Sequence, residues 1–402
     1  MSLNIKKASL ILISIIPNAF ILKSMLYFLP DITLLLFIFL YGMLLIYLFK
    51  NSKYLRKFLT KFDFFIYLWV LFSAISLIYT PYPFIGLIKL LKFCFLGLGI
   101  VYFLKIYIEN KKDWDFLFNF YVLSAFITQL CVIITFIVQG MPFGRFVFFD
   151  ASPIPLGMLG AVTAIIVVIQ IISKKISSFR FLIVFSSSVW VVLISSSKGP
   201  FLAMLIGLVV IIPSMVRNIK RGTLLFILGG ITFYFISKTE QYRMMIFRLL
   251  YTAEDQSTHS RLNLYDIAIN EFSKNPVIGS GIGVFNNFYP HNIFLEVIAE
   301  GGILSGSILM LFFIWIAYKY IIYIFRYKND LYYFTPLVIV IMSVSVLMVS
   351  FTYVDLKFLY LGLGAILIHK TIKNTKDVTI KVKNKQSPSK KFRFKKFKIV
   401  WN

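Results

Sequence analysis

Three side chains of this 402-residue chain combine in a way that suits chemistry on a phosphate ester: Lys198, Arg261 and His291. Lys198 lies in Ser195-Ser196-Ser197-Lys198-Gly199-Pro200, a tight turn between two apolar runs. Arg261 and His291 lie in the polar stretch from Ser257 to Gly306, which interrupts a long series of apolar segments. Arginine binds two phosphate oxygens at once and lysine acts as a point charge. Two such cations suit an anionic leaving group such as a diphosphate. A neutral imidazole, with an ordinary pKa of about 6.5, can accept a proton from an attacking hydroxyl. Each residue also has a plainer reading: His291 as part of a helix cap with Asn292, Arg261 as a headgroup anchor, and Lys198 as a side chain snorkelling to the interface. The same stretch holds no acidic cluster of the DxD kind, so no divalent metal and no cofactor is expected. Gly279, Gly281 and Gly283 lack the preceding strand of a dinucleotide fingerprint and read instead as a flexible turn.

The elements that carry these residues are set by composition. With 59% hydrophobic residues, 14% charged residues and a mean hydropathy of +0.85, the chain is far too apolar for an ordinary soluble domain. Apolar runs long enough to cross a hydrocarbon core of about 30 Å recur from end to end. They predict an all-α polytopic membrane protein with about 12 transmembrane helices, at 8–29, 31–49, 63–80, 84–104, 116–138, 153–173, 181–197, 199–216, 222–237, 292–318, 331–351 and 354–369. The first run is too long for a cleaved signal segment and reads as a retained helix. Cys94 and Cys131 fall inside these runs and form neither a disulfide framework nor a metal-ligand spacing.

A net charge of +26 would suggest nucleic acid in a soluble protein, but its distribution argues for a membrane. Most of the 42 Lys and Arg fall at Lys6 and Lys7, in the even-numbered loops (such as Lys50 to Lys61, Lys111/Lys112, Lys174/Lys175 and Arg217/Lys220/Arg221) and after His369. The positive-inside rule makes that side the cytoplasm. Both termini are then cytoplasmic and the polar stretch faces outward. Residues 1–369 form the helical membrane domain, with a large outward loop at 238–290, and residues 370–402 a basic tail that is disordered in water and drawn to anionic lipid. A shorter outward loop at 140–152 has Arg145 and Asp150 as its only charges. Within the large loop, Leu262, Tyr265, Ile269 and Phe272 recur at helical spacing. They predict an amphipathic helix that starts near Arg261 and ends before Asn275-Pro276. Glu296 and Glu300 then share one face of the next span, where Glu296 suits the positive end of a helix dipole and Glu300 either does the same or orients a partner in the site. Gly301, Gly302 and Gly306 suit close helix packing.

Three blocks, SSSKGPFLAML (195–205), SRLNLYDIAINEFSKNPVIGSGIGVF (260–285) and YPHNIFLEVIAEGGILSG (289–306), resemble the signature blocks of the O-antigen ligase and polymerase superfamily, in the same order. The resemblance covers roughly residues 190–310. It implies a C-type glycosyltransferase-like membrane enzyme that needs no metal. Such enzymes move a glycan from undecaprenyl diphosphate to an acceptor sugar, carried by a second lipid or by lipid A–core, at the outer face of the bacterial inner membrane. By that resemblance His291 is the candidate base and Arg261 a diphosphate ligand. Lys198 stands where the family usually has arginine, so Arg243 or Arg248 could share its task, with Asn292 and Glu300 as further substrate-side residues. The blocks do not separate polymerase from ligase; the short, glycine-spaced connection from Arg261 to His291 favours a polymerase. A flippase or other transporter fits the helix count equally, but would place charges and helix breaks near the bilayer midplane.

Overall fold

Long apolar segments in lipid must pair every backbone N–H and C=O internally, and here they do so as helices. The computed structural model describes residues 2–26, 28, 31–50, 61–140, 146–149, 151–251, 256–286, 288–326 and 330–369. The expected tail at 370–402, the basic residues at 51–60, and Arg145 and Asp150 of the shorter loop lie outside the described residues. In chain order the helices are α1 (Ser2–Ile15), α2 (Ala19–Met25), α3 (Ile32–Lys50), α4 (Lys61–Ser76), α5 (Pro83–Leu91), α6 (Gly99–Tyr107), α7 (Lys111–Val138), α8 (Pro153–Ile172), α9 (Ser178–Ile194), α10 (Lys198–Arg217), α11 (Ile219–Ser237), α12 (Glu240–Leu250), α13 (Gln256–Lys274), α14 (Ile293–Arg326), α15 (Leu331–Leu347) and α16 (Lys357–His369). No strand forms among the described residues; Phe148 and Ala151 make one isolated bridge.

Among the described residues, eight segments are long and apolar enough to cross a bilayer: Asn4–Met25, Ile32–Phe49, Pro83–Tyr107, α7, α8, α10, α11 and α14. Four shorter apolar helices, Asp63–Ser76, α9, Tyr332–Leu347 and α16, occupy the other positions where the sequence predicts a span. By length alone, then, eight of the expected twelve qualify, because the others fall short of the roughly 20 residues a straight crossing needs. The chain is a polytopic membrane protein. At its centre stands α8, buried along nearly its whole length and packed by α9, α10 and α15. The span from Pro83 to Tyr107 passes through a π-helical stretch at Lys92–Leu98, where Gly97 leaves room for the Tyr360 ring of α16.

Ion pairs sort the loops into two ends. At one end Lys6 reaches Glu109 and Asp113, both at 2.7 Å, Lys175 pairs with Asp115, and His369 lies 2.9 Å from Asp330. Arg217 donates to the Ile324 carbonyl there and Arg221 to that of Ile172. The other ends of α10, α14 and α15 meet elsewhere, with Ser76, Lys198, His291 and Met348. The basic loops and the candidate site residues therefore sit at opposite ends of the bundle.

Inside the bundle Asp63 of α4 pairs with Lys105 of α6, their side chains 1% and 6% exposed, and the Tyr102 hydroxyl lies 3.4 Å from the same carboxylate. Removing one member of such a pair strands the other charge. Asp63→Asn is expected to destabilise the protein by about 3–5 kcal/mol, whereas Asp63→Leu with Lys105→Met recovers most of that loss. Thermal unfolding of the purified variants in detergent checks both.

Candidate active site

The site is built around a break in α14. Gly302 there has φ 61° and ψ −160°, outside the helical region, so the carbonyls before it lose their partners in the next turn. The segment after α13 supplies new ones. Ser280 N–H donates to the Ala299 carbonyl at 2.8 Å, and Gly281 N–H to that of Glu300 at 2.9 Å. Past the break the traffic reverses: Ile303 N–H donates to Pro276 at 2.8 Å and Leu304 N–H to Val277 at 3.3 Å. Ile282 N–H donates to the Ser76 hydroxyl at 3.0 Å, and Tyr79 OH to the Ile278 carbonyl at 2.9 Å. Irregular backbone is tolerated at such a depth only when protein groups satisfy it in this way.

The glycines expected to form a flexible turn are therefore fixed parts of a packed loop. Gly281 has φ 93°, and a Cβ on it would lie 2.6 Å from Thr80 Cβ. Gly302, expected to bring two helices together, instead brings this loop into α14, with Gly279 N 2.6 Å from where its Cβ would be. The helix α13 also differs from expectation. It begins at Gln256, and its covered stripe is Leu264, Tyr265, Ala268, Glu271 and Phe272, while Leu262 and Ile269 are half exposed. Small Ala268 decides this, because it allows contact with Val284, Phe285 and Ala299. Arg261 lies one turn earlier on the same stripe and is half-buried.

His291 is held from several directions. Its φ is 56°, a left-handed conformation that persists in a non-glycine residue only where neighbours enforce it. Phe351, itself at φ 72°, donates its backbone N–H to His291 Nδ1 at 3.3 Å. The Tyr289 ring meets the imidazole edge-on, with centroids 4.5 Å apart. Burial lowers the imidazole pKa to about 4, and the nearby Arg261 charge lowers it further. The ring is thus neutral near pH 7. Because Nδ1 accepts a hydrogen bond, the ring proton resides on Nε2. Burial also pushes the Tyr289 hydroxyl up to about 12, helped by Asp355 and Glu296 and opposed by Arg261. Asn292 caps α14 as expected, accepting from Phe294 N–H at 2.9 Å and Leu295 N–H at 3.1 Å. Its amide donates to the Met348 carbonyl at 3.1 Å, so both ends of this expected substrate ligand are occupied in holding the fold.

Lys198 opens α10, and its ammonium is buried within the protein rather than raised to the interface. A cation at the positive end of a helix dipole is locally disfavoured, whereas an anion bound there is favoured. The adjoining Gly199 abuts the 349–350 turn, where a Cβ would lie 3.3 Å from Ser350 Oγ and 3.5 Å from Val349 Cγ2. Lys198 and His291 thus flank one turn, residues 348–353. Arg248 donates to the Ser196 carbonyl and so ties α12 to the turn before Lys198. Arg243 is not brought in: it makes an exposed pair with Glu240 at 2.7 Å, one turn away on α12.

Sequence reasoning missed a cation largely enclosed in this region. Lys89 of α5 pairs with Glu296 at 2.5 Å and with Glu300 at 2.7 Å. Thr352 OH donates to the same Glu296 oxygen at 2.5 Å. Glu300 also accepts from Gly283 N–H at 2.9 Å and from Tyr353 OH at 3.4 Å. Glu296 is fully buried and neutralises a cation, which replaces the simple dipole reading. Glu300, expected on the substrate side, holds the glycine loop instead. The available signal was Lys89 itself, one of two cations, with Lys92, inside the apolar span at 84–104. Two cavities adjoin this cluster, of about 310 and 220 Å³, with Trp69 and Tyr353 in both walls. Neither is lined by Lys198, Arg261 or His291.

A profile of the family described as "O-Antigen ligase" matches residues 182–310. That stretch contains every candidate from Lys198 to Glu300 but excludes Lys89 and the 348–353 turn. No curated protein and no solved structure matches the chain.

Because Gly281 combines a left-handed φ with a close approach to Thr80, Gly281→Ala is expected to cost about 1–3 kcal/mol or more. Its readout is faster proteolysis within 276–286 at a lower unfolding temperature; unchanged protection would mean the loop tolerates a side chain.

Proposed function

Residues 182–310 belong to the O-antigen ligase and polymerase superfamily, and on that premise we propose that the protein transfers a glycan from a lipid-linked diphosphate to a sugar hydroxyl. The donor is a glycan on undecaprenyl diphosphate and the reaction takes place at the outer face of the cytoplasmic membrane. The short, glycine-spaced connection between Arg261 and His291 favours a polymerase, whose acceptor is a sugar on a second lipid carrier, over a ligase acting on lipid A–core. One observation carries the reading: a neutral imidazole in the field of Arg261, across one turn from the start of α10, where Lys198 stands.

In the reaction, the bond between the sugar C1 and the diphosphate oxygen breaks and its electron pair leaves with the diphosphate. The acceptor oxygen bonds to C1, and its proton passes to the departing diphosphate or to water. Arg261 binds the non-bridging oxygens as a fork, and Lys198 with the N-terminus of α10 offsets the charge that grows on the leaving group. The role of His291 differs from that of the base implied by resemblance. Its Nε2 carries the proton, so it presents a hydrogen-bond donor to a substrate oxygen and no lone pair to the acceptor hydroxyl. A transporter remains the competing class, since α14 is discontinuous and Lys89 forms an ion pair inside a span. Two features oppose it. The break is filled by the chain's own loop, and both carboxylates of the pair hold protein groups.

The donor role predicts an order among variants. His291→Gln, which retains an amide N–H near the Nε2 position, is expected to keep a measurable share of transfer, whereas His291→Ala loses about 10²–10³-fold. Equal losses in a proteoliposome transfer assay would reinstate the base. The pH profile tests the neutral state of the ring, which either role would require. A pKa lowered to about 4 leaves the ring neutral on the acid side, so kcat should not fall between pH 8 and pH 5 on account of this group. A base of ordinary pKa would instead lose activity below about 6.5.

A glycan profile of a strain lacking the gene tests the function itself. Short chains bearing a single repeat identify a polymerase, and polymer stranded on its lipid carrier identifies a ligase. An unaltered profile would refute both.

A further inference from the structure

We propose that Lys89 is a positioning residue for His291, an inference that rests on the reading of His291 as the group that meets substrate. The connection is short. The Lys89 ammonium pairs with Glu296 Oε1 at 2.5 Å, and the Thr352 hydroxyl donates to that same oxygen, also at 2.5 Å. The residue before Thr352 is Phe351, whose N–H holds His291 Nδ1. On the other side, Lys89 pairs with Glu300 Oε1 at 2.7 Å, and Gly283 N–H donates to that oxygen at 2.9 Å. The ammonium also lies 4.9 Å from the centre of the Tyr353 ring, whose hydroxyl reaches Glu300 Oε2. One cation therefore gathers the first two turns of α14, the glycine loop and the 351–353 turn.

Three features make this a device for His291 rather than a generic ion pair. First, His291 and Phe351 both occupy left-handed backbone conformations, at φ 56° and 72°, and an arrangement strained on both sides of one hydrogen bond needs outside support. Second, Glu296 and Glu300 are one turn apart on one helix face. Without Lys89 two buried carboxylates repel across that turn, and α14 is pushed to turn or shift at the end that carries Asn292 and His291. Third, the bonds run through Thr352 and Tyr353, next to the group that fixes the imidazole, rather than through the lipid-facing side of α14. Lys89 touches no residue placed at the substrate, so its effect on transfer runs through the orientation of the ring and hence of its Nε2–H.

The test is a double-mutant cycle on the full-length protein in proteoliposomes, with Lys89→Met, His291→Gln and the pair. Lys89→Met is expected to lower kcat by about 10²-fold, the scale on which misplacing a reacting group acts, with the donor KM unchanged. In the His291→Gln background the same change should cost less than about threefold, because the ring it positions is already gone. Equal losses in the two backgrounds would make Lys89 a general stabiliser, and full activity of Lys89→Met would remove it from the reaction; either result overturns the proposal. Should Lys89→Met fail to fold, the charge-compensated Lys89→Met/Glu296→Gln variant takes its place in the cycle, with the same expected and overturning results. If His291→Ala itself transfers at the wild-type rate, it is the functional reading that fails, and that outcome is visible without any change at Lys89.

Discussion

A lysine ammonium enclosed by a helical bundle must be neutralised where it stands, and this requirement at Lys89 organises the end of the molecule where the candidate site lies. Two carboxylates on one face of α14 meet it, at 2.5 and 2.7 Å. Desolvating three charges together is costly, and further hydrogen bonds to the carboxylates help to repay it. Thr352, Tyr353 and Gly283 supply them from two other segments, Thr352 and Gly283 to the same oxygens that Lys89 meets. An apolar core could hold the same helices together, but would leave open which way the first turn of α14 faces. The ion pair fixes that direction, and with it the residues immediately before the helix.

The break at Gly302 follows from the same demand for complete backbone pairing. Once a helix is interrupted inside the bundle, its freed carbonyls must find donors, and the chain provides them from residues 280 and 281. Such a loop can enter only where it has no side chains to collide, which explains why glycine stands at both approaching positions, 279 and 302. Loop and helix are then interdependent. The break is stable because the loop fills it, and the loop is ordered because the break accepts it. His291 follows five residues after Asn286 of that loop and directly precedes α14, and so inherits its placement from both.

Much of this was legible in the sequence, though not the parts that determine geometry. Hydropathy located all the apolar helices, since a membrane leaves few alternatives to a helix. Among the described residues, the basic side chains Lys6, Lys175 and Arg221 gather at one end of the bundle through their partners. The Asn292 cap followed from its position before an apolar run. What escaped were contacts between distant segments. Lys89 and Glu296 are 207 residues apart, and no local periodicity joins them. Phe351 closes the expected span at 331–351 and Thr352 lies in the two-residue gap before the next, so nothing in the pattern singled out either. The buried stripe of α13 was misjudged because large apolar residues were counted and Ala268, which permits the closest approach, was not. Arg243 and Arg248 are five residues apart on one helix, and only three-dimensional placement separates the exposed pair of the first from the Ser196 contact of the second.

The neutral state of His291 has a consequence for how charge is handled at this end of the protein. Burial removes the ring from water and Arg261 stands nearby, so a second positive charge on the imidazole is disfavoured twice over. In the proposed reaction, positive charge for the departing diphosphate comes from a guanidinium and an ammonium, Arg261 and Lys198. The imidazole contributes a directed dipole instead, set by the Phe351 N–H at its other nitrogen. A proton on that nitrogen would face another N–H, so protonation and the hydrogen bond exclude each other. The backbone contact therefore determines the tautomer and position of the ring together. This gives physical content to the strained conformations of residues 291 and 351: relaxing either would release the ring nitrogen and with it the fixed tautomer and direction of the donor.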